Sequence, residues 1–249
     1  MIKSFKNNFF GRKFQPKFKR MLRKIILSVL IMMFFSVVSI AQLRIGPTGG
    51  LNFNRQVFKS NTNLYEGVFR NRLGFHAGLM TDLVITKNLS LQSELLYTLK
   101  GGFYRSDRAN ISEEYQTDLS YITVPVCLTY KVDVKSAYLI VGAGPYLSKL
   151  LHSQHRYYSN GLNIENGPMR VGTDYYTDQI KPWDAGIKFK AGFELKKGLY
   201  MVGFYDMSSA DINPQFTVTR NKTYGVQLAY IFSLSEEDRY NRFEKFYEF

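Results

Sequence analysis

Three features of the sequence predict an all-β fold, an eight-stranded antiparallel up-and-down transmembrane β-barrel. From Ile45 onward, apolar and polar residues alternate in repeated segments, which is the period of a strand with two different faces. The connections between these segments are alternately long and short, as in barrels with short turns at one end and long loops at the other. A basic segment followed by an apolar one at the N-terminus predicts export.

Residues 1–41 are predicted to be a signal peptide with an extended basic head. Nine Lys or Arg and no acidic residue precede the uncharged run from Ile25 to Ala41. Small residues at Ser39 and Ala41 predict cleavage between Ala41 and Gln42. An uncleaved anchor is the alternative, although the run falls just short of the ~18 residues of a spanning helix. Translation could begin at either Met1 or Met21.

The composition of the remaining chain excludes several classes of protein. Without the nine N-terminal bases, 24 of the 33 Lys and Arg remain against 20 acids, so the basic balance is no argument for nucleic-acid binding. The single cysteine, Cys127, excludes an intrachain disulfide and is predicted to be a small interior filler. Because no second long apolar run follows, a mature chain that crosses a membrane is expected to do so as a closed barrel.

The eight predicted strands occupy residues 42–53, 72–85, 89–103, 118–132, 136–150, 182–195, 199–208 and 222–232, within a barrel of residues 42–234. The second strand shows the pattern well, because Leu73, Phe75 and Ala77 alternate with Arg72, Gly74 and His76. Short turns are predicted at 86–88, 133–135 and 196–198, and long loops at 54–71, 104–117 and 151–181. Residues 235–249 form a separate C-terminal tail.

Three prolines lie within the predicted strands, at Pro47, Pro125 and Pro145. Proline has no backbone N–H to donate to a strand ladder. We therefore expect a bulge or weakened pairing at each of these positions.

The distribution of glycine predicts that the polar face points into the barrel. Glycines fall mainly on that face, where they leave room for larger polar side chains in an interior that eight strands make only just wide enough. Seven charged residues share this face: Asp82, Glu94, Lys100, Asp184, Lys188, Lys190 and Glu194. We expect them to pair and fill the interior, because buried charges are tolerated when paired, whereas a conductive path is the alternative.

Aromatic residues on the apolar face are predicted to form two belts at the membrane interfaces. The belt near the loop ends comprises Phe53, Phe75, Phe103, Trp183 and Tyr224. The belt near the turn ends comprises Tyr130, Phe193, Tyr230 and Phe232.

Four short motifs resemble the PorT-type, porin-like family of outer-membrane β-barrels: Gly49–Phe53, Tyr121–Val126, Val141–Tyr146 and Leu228–Phe232. The resemblance extends roughly from Leu43 to Phe232 and implies an eight-stranded barrel in the outer membrane of a Gram-negative cell. It implies no catalytic residue, cofactor or metal. Members of the PorT type are linked to a secretion apparatus, whereas many relatives are barrels of no assigned role. This chain departs from the family by continuing past the last strand, from Ser233 to Phe249.

The resemblance therefore favours a non-enzymatic outer-membrane barrel, structural or accessory to an envelope assembly, whose partners are outer-membrane lipid and an envelope or secretion-system protein. The alternative is a partner- or ligand-binding barrel that acts through its long loops and tail. A lipid-modifying enzyme of the outer leaflet is a remote third hypothesis.

Several residues outside the barrel wall are weighed as sites. His152, Ser153 and His155 could serve lipid chemistry or bind metal, but a metal site needs further ligands, so an exposed loop is favoured. Loop tyrosines suit an interface or the rim of the upper belt: Tyr157, Tyr158, Tyr175 and Tyr176. Aromatics in the tail follow helical spacing, which predicts either a docking segment or a frayed end: Tyr240, Phe243 and Tyr247, beside Phe246.

Overall fold

The computed structural model of the chain describes residues 42–59, 68–108, 111–215 and 218–233, together with the single positions Met21 and Ser28. The chain divides into two units, Met1–Ala41 and Gln42–Phe249. The predicted signal peptide with its cleavage point at Ala41, the tail aromatics and residues 60–67 of the first predicted loop lie outside the described residues.

Alternating sequence in the second unit produces eleven strands within the described residues. They are β1 (Gln42–Lys59), β2 (Val68–Arg70), β3 (Arg72–Val84), β4 (Leu89–Arg108), β5 (Ile111–Val134), β6 (Ala137–Ser159), β7 (Leu162–Pro168), β8 (Trp183–Leu195), β9 (Leu199–Ser208), β10 (Val218–Tyr230) and β11 (Phe232–Ser233).

Eight long antiparallel strands close into a ring in the order β10-β9-β8-β6-β5-β4-β3-β1, and β1 pairs back onto β10. The closing ladder runs from Thr48 opposite Ala229 to Lys59 opposite Val218. The predicted all-β antiparallel barrel is confirmed. The strand count differs from the predicted eight because β2 and β7 flank the ring and β11 continues β10 along β1.

Most strands extend further than the alternating pattern predicted. Residues 104–117, predicted to be a loop, lie largely in β4 and β5, and residues 151–168 lie largely in β6 and β7. The prediction of irregular loops there was wrong because it relied on a regular apolar face, which these largely polar segments lack. Their backbones still satisfy one another, as in the pairing of Arg105 with Glu114 and of Tyr115 with Tyr157.

The prolines weaken pairing without shifting the register. Around Pro125 and Pro145, the β5–β6 ladder is interrupted between Tyr146 and Ala143 and then resumes in the same register. At Pro47 the β1–β10 ladder stops and resumes as the β1–β11 ladder. The register shifts found in the described ladders occur elsewhere, at Ser120/Tyr121 and Tyr157/Tyr158. Missing N–H donors therefore cost local bonds, whereas the neighbouring residues hold the alignment.

Burial follows the alternation around the ring. The polar face points inward and is buried, whereas large apolar side chains point outward, including Leu79, Leu95, Ile187 and Leu228. A soluble barrel would show the opposite arrangement. In the described part of the chain, no helix is long and apolar enough to cross a membrane, a finding that concerns helices alone.

Candidate functional site: the barrel lumen, its mouth and the ledge above it

The lumen near the turn end contains two cations and two anions in mutual contact. Lys131 Nζ lies 2.8 Å from Asp82 Oδ2 and 3.0 Å from Glu194 Oε2. Arg44 forms ion pairs with the same two carboxylates. These side chains come from four strands, β1, β3, β5 and β8, so the cluster ties opposite walls of the ring together.

The middle of the lumen contains two further ion pairs. Lys190 Nζ lies 3.1 Å from Glu94 Oε1, and Lys188 Nζ lies 3.4 Å from Asp206 Oδ1. The Lys188 ammonium also lies 4.1 Å from the centroid of the Phe204 ring, a distance that permits a cation–π contact. All four charged side chains are buried.

Near the loop end, Lys100 and Asp184 form a pair with Nζ and Oδ2 2.9 Å apart. The other oxygen of Asp184 accepts a hydrogen bond from Ser208 at 2.6 Å, and Asn221 donates to Oδ2 at 3.1 Å. The Lys100 ammonium lies 4.7 Å from the Tyr146 ring centroid. Every charge of this pair is thus compensated by polar or aromatic neighbours, as burial of ions requires.

All seven charged residues predicted for the interior are buried, and each belongs to one of these pairs. Sequence reasoning missed Arg44, Lys131 and Asp206. Arg44 and Lys131 lie on the inward parity inside the predicted strands 42–53 and 118–132, and the strand of Asp206 was not resolved into faces. Reading the inward parity through the whole of both predicted strands would have found Arg44 and Lys131. With them, the paired charges in the part of the lumen that the structure describes are five cations and five anions. Free Cys127 is buried beside them on the inward face.

Two loop isoleucines cover the mouth of the barrel. Ile180 and Ile212 are buried with Leu119, Tyr121 and Leu150 in one apolar cluster. The two loops are joined to each other, because Lys181 donates its backbone N–H to Ile212 at 2.8 Å, and its Nζ lies 3.0 Å from Asp211 Oδ2. Beside this cover lies a cavity of about 220 Å³, lined by Gln56, Tyr115, Thr117, Gln179 and Asn213 among others.

Strands β5 and β6 are 24 and 23 residues long, more than twice the ~9–11 residues that a strand needs to cross a membrane. With β2, β4 and β7 they form a sheet beyond the mouth of the barrel, which we call the ledge. The ledge comprises Val68–Arg70, Tyr104–Arg108, Ile111–Asp118, Ser153–Ser159 and Leu162–Pro168.

Hydrogen bonds from Ser112 and Arg105 hold the pKa of the Asp107 carboxyl in this ledge below its usual value.

A family model described as an outer membrane protein beta-barrel domain matches residues 36–213, well over half of the chain. The chain belongs to this family of outer-membrane β-barrel domains. The protein is therefore located in the outer membrane, and the outward face of its barrel carries large exposed apolar side chains. In such barrels the short turns lie in the periplasm and the long loops outside, which places the ledge at the cell exterior.

Solved outer-membrane barrels align with the chain over most of both lengths. The chain is 13% identical to Ail, the attachment invasion locus protein of Yersinia pestis, with coverage of 77% of this chain and 99% of that one and a TM-score of 0.41. OprG of Pseudomonas aeruginosa is 10% identical, with coverage of 77% of this chain and 96% of OprG and a TM-score of 0.47. Neisserial surface protein A is 12% identical, with coverage of 76% of this chain and 97% of that one and a TM-score of 0.37. No relative was found among curated proteins.

The residues predicted as aromatic belts face outward along the barrel wall. Near the loop end, Phe53 stacks on Tyr224 with centroids 5.5 Å apart, and Phe75 lies 6.2 Å from Tyr97. Phe103 is half-buried and Trp183 is exposed beside Lys149. At the turn end, the centroids of Tyr230 and Phe232 are 4.8 Å apart, and Tyr130 and Phe193 are exposed on other strands.

The two histidines of the long third connection do not lie in an exposed loop and do not meet. Both belong to β6, where His152 is exposed and His155 is buried. Residues three apart on a strand point to opposite faces, so the pair cannot chelate one metal ion. His155 Nε2 instead lies 2.9 Å from Glu165 Oε1, and its ring stacks on Tyr115. Ser153 is buried and donates to the Met169 carbonyl.

The four loop tyrosines are divided between the ledge and the loop after it. Tyr157 and Tyr158 lie in β6, and the hydrogen bond from the Tyr157 hydroxyl to Glu113 raises the pKa of that phenol. Tyr175 and Tyr176 form an edge-to-face pair, and Tyr176 is 87% exposed. They therefore do not form a single aromatic surface.

Proposed function

We propose that this protein is a non-enzymatic outer-membrane barrel of the porin-like, PorT type that is accessory to an envelope assembly, and that it acts through its external surface. The observation on which the proposal rests is the lumen, in which five cations and five anions pair over the height of the barrel. A closed lumen leaves the ledge, the loops and the tail as the surfaces through which the protein can act.

The ledge supports a role in binding a protein partner. Strand β7 pairs with β6 on one side, and within the described residues it has no strand on the other. Its residues are mostly exposed, among them Leu162 at 69% and Ile164 at 59%. An open strand edge with apolar side chains can add a strand from another protein. A secretion-system or other envelope protein with an extended segment is the partner that this edge would accept.

The first experiment tests the closed lumen. The full chain, purified from outer membranes, is inserted into planar lipid bilayers, and we expect no steady unit conductance. Steady conductance that changes when Lys188 and Lys190 are replaced by glutamine would show a channel through the lumen. That result would overturn the proposal that the protein works through surfaces alone.

The second experiment tests the ledge in cells. A photo-crosslinking amino acid is placed at Leu162 or Ile164, and the same amino acid at lipid-facing Leu139 or Leu95 is the matched control. We expect a discrete protein adduct from the β7 positions that the control positions do not give, identified by mass spectrometry. Crosslinks to lipid alone at all four positions would contradict a protein partner at this edge.

A further inference from the structure

Three cations lie together on the outer wall where β1 meets β10. Arg55 is the register partner of Lys222, and Arg220 is the partner of Val57, one outward-facing step further toward the loops. Like charges directly opposite each other on a sheet are destabilising. Yet these three residues form no ion pair with any residue that the structure describes, and the buried Nε of Arg220 has no hydrogen-bond partner there.

Directly below the cations on the same face is an aromatic step. Phe53 and Tyr224 are register partners two residues from Arg55 and Lys222, and their rings stack. The Tyr224 hydroxyl accepts a hydrogen bond of 2.7 Å from Asn71. Tyrosine with its ring in an apolar layer and its hydroxyl bonded to polar groups is typical of the membrane interface. The cations therefore stand at headgroup level on the external side.

An apolar groove begins at this aromatic step and runs obliquely down the wall. Its volume is about 850 Å³, within the ~300–1,000 Å³ range of ligand sites. The edge of the groove nearest the loops is formed by Tyr224, Tyr205 and Phe189, which are register partners on neighbouring strands. The opposite end of the groove reaches Leu89, which is the first residue of β4 after a turn. The groove thus extends from the external interface toward the periplasmic end.

The groove exists because small residues replace large ones in one row of the wall. Ala191 is the partner of Gly203, which is the partner of Val226. A Cβ built on Gly203 would meet no atom nearer than 3.9 Å, so the space beside it is open. Elsewhere on the wall the outward positions are largely Leu, Val, Phe and Tyr.

From this arrangement we propose a binding site for one phosphorylated lipid of the outer leaflet. The Arg55, Lys222 and Arg220 side chains bind the phosphate of its headgroup, and an acyl chain lies in the groove past Gly203. The cations supply the charge complementary to phosphate, and Arg offers donors that match its oxygens. The groove below the cations lies within the membrane, where lipid acyl chains are the apolar groups that surround the barrel and can occupy it.

Binding of lipid A to the full chain in dodecyl maltoside tests the site, with native mass spectrometry for stoichiometry and titration for Kd. Each basic residue near anionic lipid contributes about fivefold to affinity, so the triple change Arg55→Gln/Arg220→Gln/Lys222→Gln is expected to raise Kd on the order of 100-fold. Lys222→Gln alone should raise it about fivefold. Lys87→Gln, which removes an exposed base from a periplasmic turn, is the matched control and should leave Kd unchanged.

Two further arms separate lipid from a free anion. Gly203→Leu fills the groove without touching the cations. This variant should weaken the binding of intact lipid A and, equally, the binding of lipid A from which the phosphates have been removed. Inorganic phosphate should compete only weakly. If Lys87→Gln and Lys222→Gln have the same Kd for lipid A, the proposal is overturned. It is also overturned if inorganic phosphate displaces lipid A completely and Gly203→Leu does not change the Kd. If the triple variant does not fold, the single Lys222→Gln and Gly203→Leu variants decide the question.

Discussion

Lys100 Nζ lies 2.9 Å from Asp184 Oδ2 inside the barrel, and neither side chain is exposed to solvent. The two residues are 84 positions apart and stand on β4 and β8, which β5 and β6 separate in the ring. The pair therefore spans the lumen rather than a single ladder, and it links two strands of the ring that are not neighbours.

Replacing Lys100 by methionine should destabilise the barrel strongly. The change leaves Asp184 buried without its cation, and breaking a buried pair in this way typically costs ~3–5 kcal/mol. The measurement is urea-induced unfolding of the protein folded into lipid vesicles, followed by tryptophan fluorescence.

The matched control is Lys196→Met, because Lys196 pairs with Asp133 at 3.1 Å on the exposed turn surface. Exposed pairs contribute about 0–1 kcal/mol, so this variant should be close to the parent in stability. A Lys100→Met barrel no less stable than the Lys196→Met barrel would show that Asp184 does not need its partner.

Replacing Ile187 by arginine should reduce stability in lipid. Ile187 faces outward near the middle of β8, and arginine at the membrane midplane costs ~2–4 kcal/mol in such barrels. Ile187→Leu keeps the apolar contact with lipid and should stay near the parent. If Ile187→Arg unfolds at the same urea concentration as Ile187→Leu, the outward face is not in the hydrocarbon layer.

Acidification should loosen the turn around Asp174. The backbone N–H groups of Tyr176 and Thr177 donate to Asp174 Oδ1 at 2.8 and 3.0 Å, which lowers the pKa of that carboxyl below its ordinary 3.8. A lowered pKa means that the ordering is fully present above 3.8 and is lost as the pH falls through the folded value. Hydrogen exchange of the Tyr176 and Thr177 amides should accelerate, relative to neighbouring loop amides, over that window. If these two amides exchange no faster relative to neighbouring loop amides over that pH range, the Asp174 carboxylate does not order this turn.

The faces of the strands could be predicted from sequence because the side-chain period of a strand is two. Asp82, Glu94 and Lys188 were placed inward by alternation, and the structure buries each of them. Their partners could not be predicted, because the distance between Lys131 and Asp82 depends on ring closure and register. Arg44 and Lys131 were missed although they lie inside predicted strands, because the faces were assigned only from Ile45 in the first strand and the polar face of the fourth was not read.

The ledge could not be predicted for a different physical reason. Strands β5 and β6 continue past Asp118 and Ser153 into the ledge, where the two strands keep pairing without a regular apolar face. The sequence of Ser112–Gln116 is polar on both faces, so its strand character depends on backbone pairing with β4 and β6. A hydrophobicity pattern contains no information about such pairing.

Export and cleavage before Gln42 remain a prediction from sequence. The basic head, the uncharged run and the small residues Ser39 and Ala41 are the evidence for it. N-terminal sequencing of protein extracted from outer membranes should read Gln-Leu-Arg-Ile. A terminus at Met1 or Met21 would show that the segment is retained.

Replacement by alanine should destabilise the barrel at one glycine of the wall, Gly78, and leave it almost unchanged at another, Gly203. A Cβ on Gly78, which faces the lumen, would overlap the Leu95 carbonyl oxygen of the neighbouring strand. Because that oxygen belongs to the backbone ladder, the strands must separate to admit the methyl group, and overpacking of this kind typically costs ~1–3 kcal/mol. Gly203 faces the outer groove with no atom nearer than 3.9 Å, so Gly203→Ala should change stability by no more than about 0.5 kcal/mol. Urea unfolding of both variants in the same vesicles measures the difference. Equal stability of Gly78→Ala and Gly203→Ala would mean that close strand approach at Gly78 does not require glycine.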